Sequence, residues 1–281
     1  MPGSSVAALT GDVRVTATHR QANAPPRPLT SFVGRESEIA TAGAQILRPD
    51  VRALPLTGPG GIGKTRLALA IAASFQERVE TSVAWVPLAE IHDPALVLPA
   101  IARSLGIVVL QPACLLNQIC SAVGEWDLVL ILDNVEQVVS AATDMAAILS
   151  ACPGLTLLAT SRQPLRIPGE HILPVPPLIL RSQRDVLLHE PSGEADAIRL
   201  FAMRAAAASP VFRLDSSTAP LLASLCQRLD GLSLAIELTA ARVPHLPLGT
   251  LLDRLEHRLP LLTGGPHDAP ARLQTMREAI A

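Results

Sequence analysis

The chain has 281 residues, enough for one large or two small domains with a sizeable core, and a formal charge of −2. That near-neutral balance, with four phenylalanines, two tryptophans and no tyrosine, excludes a general basic footprint for nucleic acid and an aromatic base-stacking surface. No apolar run approaches the roughly 20 residues that span a bilayer, and Val6 to Leu9 is too short for a secretory signal core, so the chain is expected in the cytoplasm with no membrane partner.

Residues 1–28 mix Gly, Ser, Ala and Pro without periodicity and end in Ala24-Pro25-Pro26-Arg27-Pro28, the composition of a flexible linker. A helical pattern begins at Glu36. An apolar strand over Ala53–Thr57 then runs into Gly58-Pro59-Gly60-Gly61-Ile62-Gly63-Lys64-Thr65. The spacing is G-x-x-x-x-G-K-[ST], which cradles phosphates where it joins a strand to a helix. Lys64 is the single lysine among 23 cationic side chains, the rest being arginine. A compact ammonium fits a cramped loop that a planar guanidinium would not. Gly58, Gly60, Gly61, Ile62 and Gly63 are expected to turn main-chain N–H groups onto a nucleotide, with Lys64, Thr65 and Arg66 at the head of the next helix. The Thr65 hydroxyl is expected to meet Mg2+, and the ligand to be a nucleoside triphosphate or diphosphate, ATP or ADP if the resemblance described below holds.

Further strands are expected at Ser82–Leu88, Asp127–Asp133, Leu155–Thr160 and His171–Val175, with helices near 64–79, 93–105, 113–125 and 135–151. Strands alternating with helices of this length predict an α/β domain, a parallel sheet with helices on both faces. Asp133 ends an unbroken apolar strand. A carboxylate there either caps the next segment or, beside a phosphate loop, joins Thr65 in holding Mg2+. Asn134 follows, and an amide positions water without taking its proton, so hydrolysis should be slow. Glu136 is a weaker substitute base. Arg162 closes the fourth strand, where it either reaches a γ-phosphate or lies solvated in a loop.

Prolines at 168, 174, 176 and 177 punctuate a connector, and helices follow near 195–209, 217–229, 232–242 and 248–258. The domains are therefore read as 29–178, α/β, and 179–281, a small all-helical subdomain. Arg242, Arg254 and Arg258 with Glu237, Asp253 and Glu256 suit i,i+4 pairs on a helix surface, or else an inter-subunit contact. Cys114, Cys120, Cys152 and Cys226 show no C-x-x-C pairing and read as buried free thiols.

Five blocks in this order resemble the NB-ARC module of the STAND class of signalling ATPases: Leu29-Thr30-Ser31-Phe32-Val33-Gly34-Arg35-Glu36, the phosphate loop, Leu130 to Gln137, Thr160-Ser161-Arg162, and Leu229-Asp230-Gly231-Leu232-Ser233-Leu234-Ala235. The resemblance implies a P-loop NTPase sheet of five strands, with the strand before Arg162 between the phosphate-loop and aspartate strands. It places Val33 and Arg35 over the adenine, makes Arg162 the sensor of the γ-phosphate, and sets Ser233 where the family has a proline near the base. Lys64, Asp133, Asn134 and Arg162 are then the catalytic set. It further implies an ADP-held closed form, and a homo-oligomer in the ATP state. Family members continue into a winged-helix domain with a phosphate-contacting histidine. The chain reaches Ala281 where that domain is expected to begin, and neither His257 nor His267 lies in the family's histidine motif. The sequence therefore reads as a nucleotide-operated switch module without its winged helix, expected to release ADP faster than longer relatives. A stand-alone ATP-hydrolysing ATPase is the alternative. A small-molecule kinase lacks an arginine-bearing lid, and direct nucleic-acid contact lacks a helix-turn-helix.

Overall fold

The computed structural model describes residues 23–78, 82–109, 114–124, 126–180 and 196–256. One parallel sheet holds β1 (Ala53–Thr57), β2 (Ser82–Pro87), β3 (Leu128–Asp133), β4 (Leu155–Ser161) and β5 (Leu173–Pro174) in the order β2-β3-β4-β1-β5. β4 thus lies between the phosphate-loop and aspartate strands, as the resemblance implies. β3 is buried along its whole length, which explains its unbroken apolar run.

Alternate side chains along each strand serve two cores, because strand side chains point to opposite faces in turn. Leu128, Leu130 and Leu132 join α3 (Val97–Ser104), α4 (Leu115–Val123) and α5 (Ala142–Ala151) on one face. Val129 and Ile131 join α1 (Glu36–Ile46) and α2 (Lys64–Arg78) on the other. A third core unites α6 (Asp196–Ala208), α7 (Ala219–Arg228), α8 (Ser233–Ala240) and α9 (Leu248–Glu256) around Phe201, Leu222 and Ile236. Val33 and Leu178, from the two ends of the α/β unit, are drawn into this helical core.

Several local expectations are corrected. The helix expected over 135–151 is two 3-10 turns, Val135–Gln137 and Val139–Ala141, before α5. Asn134 is left-handed (φ 73°) and Val138 has φ −128°, so the chain cannot continue as α-helix there. Both Val135 and Val138 are fully buried, and that burial fixes the tight path. Regular pairing in β5 spans two residues, and Pro174 is accommodated because β5 is an edge strand. Flanking bonds from His171 N–H to Ala53 O (2.8 Å) and Val175 N–H to Thr57 O (2.8 Å) extend its attachment. Residues 1–22 of the expected linker lie outside the described residues. From Asn23 the chain lies along β2, accepting Trp85 N–H (3.0 Å) and donating to Ser104 O (2.7 Å). All four thiols are free, but Cys114 is exposed and only Cys152 and Cys226 are fully buried. His257, Arg258 and His267 lie outside the described residues.

Arg52 fastens α5 to the sheet. Its Nη2 donates to Leu149 O (2.8 Å), Cys152 O (2.7 Å) and Leu155 O (2.9 Å), the last carbonyls of α5 and the first of β4. Arg52→Ala should cost about 2 kcal/mol, the value of hydrogen bonds to a charged group. For a chain of this size the melting temperature should fall by roughly 4–8 °C, read by circular dichroism. An unchanged melting curve would show that water replaces the guanidinium at no cost.

Candidate functional site

The parallel register assembles the site at the carboxyl edge of the sheet. β1 and β4 pair Thr57 with Ser161, and β3 and β4 pair Leu132 with Ala159. The loop after Thr57, Asp133 with Asn134, and Arg162 therefore emerge side by side. Thr160 Oγ1 donates to Asp133 Oδ1 (2.6 Å) and accepts Asn134 N–H (2.8 Å). Thr65 Oγ1 donates to the same Asp133 oxygen at 2.7 Å. Asn134 is suited to this turn because asparagine tolerates left-handed backbone better than most residues.

Lys64 Nζ donates to Gly58 O (2.8 Å) and Pro59 O (3.0 Å), so the ammonium lies across the loop it follows. Gly63 has φ 99°, which side chains rarely adopt, and a Cβ there would meet Ser233 Oγ tightly at 3.3 Å. The helical subdomain closes directly on the loop. Ser233 Oγ donates to Ile62 O (3.2 Å) and Leu234 N–H to Gly61 O (3.0 Å). Ser233 thus makes a bond that the family's proline could not.

The leading segment is pinned to the same carbonyl. Arg35 Nη2 donates to Ile62 O at 2.7 Å, with the residue only 4% exposed. Burial lowers its pKa, while Glu38 and Asp196 pull the other way. Nη1 is buried without a hydrogen-bond partner, Glu38 being 3.9 Å away. Gly34 and Arg35 both have left-handed backbone, at φ 70° and 67°. The carboxylate of Asp196, in the first turn of α6, lies where a Gly34 side chain would go. It also accepts the Arg35 backbone N–H.

These elements enclose a cavity of about 370 Å³, within the range of small-molecule sites. Every residue singled out from the sequence lines it except Gly58 and Ile62. Gly58 backs instead onto Val175, and Ile62 turns its carbonyl to Arg35 and Ser233. Three lining residues were not named from the sequence: Leu178, Leu200 and Arg204. Glu237 also lines it, and pairs with Arg204 of α6 at 3.0 Å rather than with an arginine of its own helix. Its place one turn beyond Ser233 on α8 was the available signal. Arg66 spans to the leading segment, donating to Thr30 Oγ1 (2.7 Å), Thr30 O (2.8 Å) and Ser31 O (3.0 Å). Burial lowers its pKa, Glu237 opposing the shift and Arg204 adding to it. Glu136 points into the cavity with Oε1 3.6 Å from Arg162 Nε.

No protein-family model matches the chain. A Mycobacterium tuberculosis protein named "Putative HTH-type transcriptional regulator" is 34% identical over 230 residues, covering 82% of this chain and 24% of its own length. An uncharacterized protein of the same organism is 34% identical over 251 residues, covering 89% of this chain and 60% of itself. The chain therefore spans about a quarter of the former and three fifths of the latter. Among solved structures, the Walker-type ATPase of Pyrococcus abyssi aligns with a TM-score of 0.52 at 12% identity, covering 80% of this chain and 72% of its own. A chain of Drosophila ORC bound to DNA aligns at 0.53 and 17%, covering 80% and 65%. The chain has a P-loop NTPase fold like that of Walker-type ATPases, and its sequence is related to proteins named as transcriptional regulators. Among the described residues no helix is long and apolar enough to cross a membrane.

The Asp196 contact gives a pH dependence. Burial raises its pKa, Glu36 and Glu38 add to the shift, and Arg199 and the Arg35 N–H oppose it. A carboxyl group raised in the folded state stabilises at low pH, and that contribution is lost as pH rises through the folded pKa. Asp196→Asn should therefore match or exceed wild-type stability at pH 7, with the difference vanishing toward about pH 4. Urea midpoints at both pH values decide it. A variant weaker at pH 7 than at pH 4 would mean that the carboxylate's bonds outweigh its desolvation.

Proposed function

We propose that the chain is the nucleotide-binding switch module of a bacterial regulatory protein, taking ATP or ADP with Mg2+ and hydrolysing slowly. The observation that carries this reading is the meeting of Thr65 and Asp133 at 2.7 Å beside Lys64, at the head of a 15-residue helix. The residues fit the ligand. Gly61 and Gly63 hold positive φ and leave the loop open where side chains would fill it. The start of α2 adds roughly half a positive charge facing the loop. Lys64 can exchange its two carbonyl partners for phosphate oxygens by side-chain rotation alone.

Thr65 and Asp133 would hold Mg2+, one through its hydroxyl and the other through its carboxylate. The ion, when bound, neutralises phosphate charge as it develops. Thr160 keeps the Asp133 carboxylate aimed, and the Asn134 amide orients water but accepts no proton. The apolar wall of Phe32, Val33, Leu178, Leu200 and Leu234 suits a base, with Arg35 at its buried end. Kinship with proteins named as regulators supports a switch over a dedicated hydrolase, and the Ser233 bond couples α8 to the loop. Association of subunits in the triphosphate state, and the absence of direct nucleic-acid contact by this segment, belong to the same reading.

Denaturing the purified protein and identifying released nucleotide by chromatography tests it. Near-stoichiometric ADP in wild type and none in Lys64→Ala is the expected result. Lys64→Ala should keep the folded circular-dichroism spectrum of wild type, and Asp133→Ala should mainly remove the Mg2+ dependence of binding. A protein that binds neither added ATP nor ADP would sink the proposal. Turnover well above about one per second would favour the stand-alone ATPase.

A further inference from the structure

We propose that Glu136 sets the preference between nucleoside diphosphate and triphosphate by holding Arg162 in an ion pair that a third phosphate must break. The inference rests on the nucleotide reading above and assigns a specificity-determining role within that site.

The left-handed backbone of Asn134 reverses the chain after Asp133, and the 3-10 turn Val135–Gln137 brings Glu136 back over the cavity. Its Oε1 lies 3.6 Å from Arg162 Nε, and its Oε2 is buried with no hydrogen-bond partner. The two partners differ in burial: the Glu136 side chain is 16% exposed and that of Arg162 38%. Arg162 is therefore the member nearer to solvent. Arg162 follows Ser161, which is level with Thr57, so it leaves the sheet beside the first residue of the phosphate loop. Lys64, Thr65 and Asp133 line the same cavity.

Two anionic groups then compete for one guanidinium. A diphosphate seated on the loop leaves the pair intact, and Glu136 keeps its counter-charge. A triphosphate draws Arg162 to its terminal oxygens and leaves a half-buried carboxylate facing them unpaired. The loss of that pair weakens triphosphate binding relative to diphosphate. A pair of this exposure alters affinity by about fivefold at most. Glu136 thus supplies the counter-charge, and its partner arginine reads the phosphate count.

The test is a double-mutant cycle on the full chain stripped of nucleotide. Dissociation constants for ADP and a non-hydrolysable ATP analogue are measured by calorimetry in wild type, Glu136→Gln, Arg162→Ala and the double variant. Glu136→Gln should tighten the analogue about three- to fivefold relative to ADP. In the Arg162→Ala background the same change should leave the ratio unaltered. An unchanged ratio in Glu136→Gln overturns the proposal. An equal shift with and without Arg162 also overturns it, since Glu136 would then act by direct repulsion. Wild type binding neither ligand overturns the nucleotide reading and this inference together. Glu136→Gln is near-isosteric, and equal melting temperatures across the set exclude a folding defect as the cause.

Discussion

The parallel register of β1, β4 and β3 is the constraint on which the site depends. It sets Thr57 level with Ser161 and brings Asp133 to within one residue of that level, so that three chain reversals begin side by side at the sheet's edge. Thr160 makes the register chemical. Its hydroxyl donates a hydrogen bond to Asp133 Oδ1 and accepts one from Asn134 N–H, so side chain and backbone of the aspartate strand are oriented by the neighbouring strand. Thr160 is 1% exposed, where an unpaired donor or acceptor would be costly. A slip by one residue would turn Thr160 to the opposite face and dissolve the arrangement.

Charge is distributed to match. The cavity gathers Lys64, Arg35, Arg66, Arg162 and Arg204 against Asp133, Glu136 and Glu237. Of these carboxylates, Glu136 and Glu237 are each paired with an arginine, and Asp133 is held by two hydroxyls. The surplus is cationic. Burial works against the positive charge of Arg35 and Arg66, and a polyanion in the cavity would work for it. The site is thus electrostatically unbalanced toward an anionic ligand, independently of any motif.

Much of this was legible from residues close in sequence. The phosphate loop, the aspartate at the end of an apolar strand and the alternation of strands with helices are local patterns, written in spacing and periodicity. The position of β4 between β1 and β3 was not written in periodicity and came from the resemblance alone. What escaped reading is long-range. Arg204 meets Glu237 across 33 positions, and Arg66 meets Thr30 across 36, so no window of sequence joins them. The helix expected over 135–151 failed for another reason. Its apolar period was real, but buried Val135 and Val138 outweighed helical propensity at its start. Asn134 was read for its amide, and its backbone conformation proved equally informative.

The Ile62 carbonyl has two donors, Arg35 from the leading segment and Ser233 from the helical subdomain. This redundancy bears on how easily the subdomain could part from the loop. Were α8 to swing away, Ile62 O would keep the guanidinium, and the Ser233 hydroxyl would pass into water. Gly61 O and the Leu234 N–H would need new partners. A carbonyl with a single donor would have been orphaned by the same motion, at a cost of about 1–3 kcal/mol. Duplicate acceptance keeps Ile62 O bonded through such a motion, so the polar cost of parting falls on Gly61 O and the Leu234 N–H.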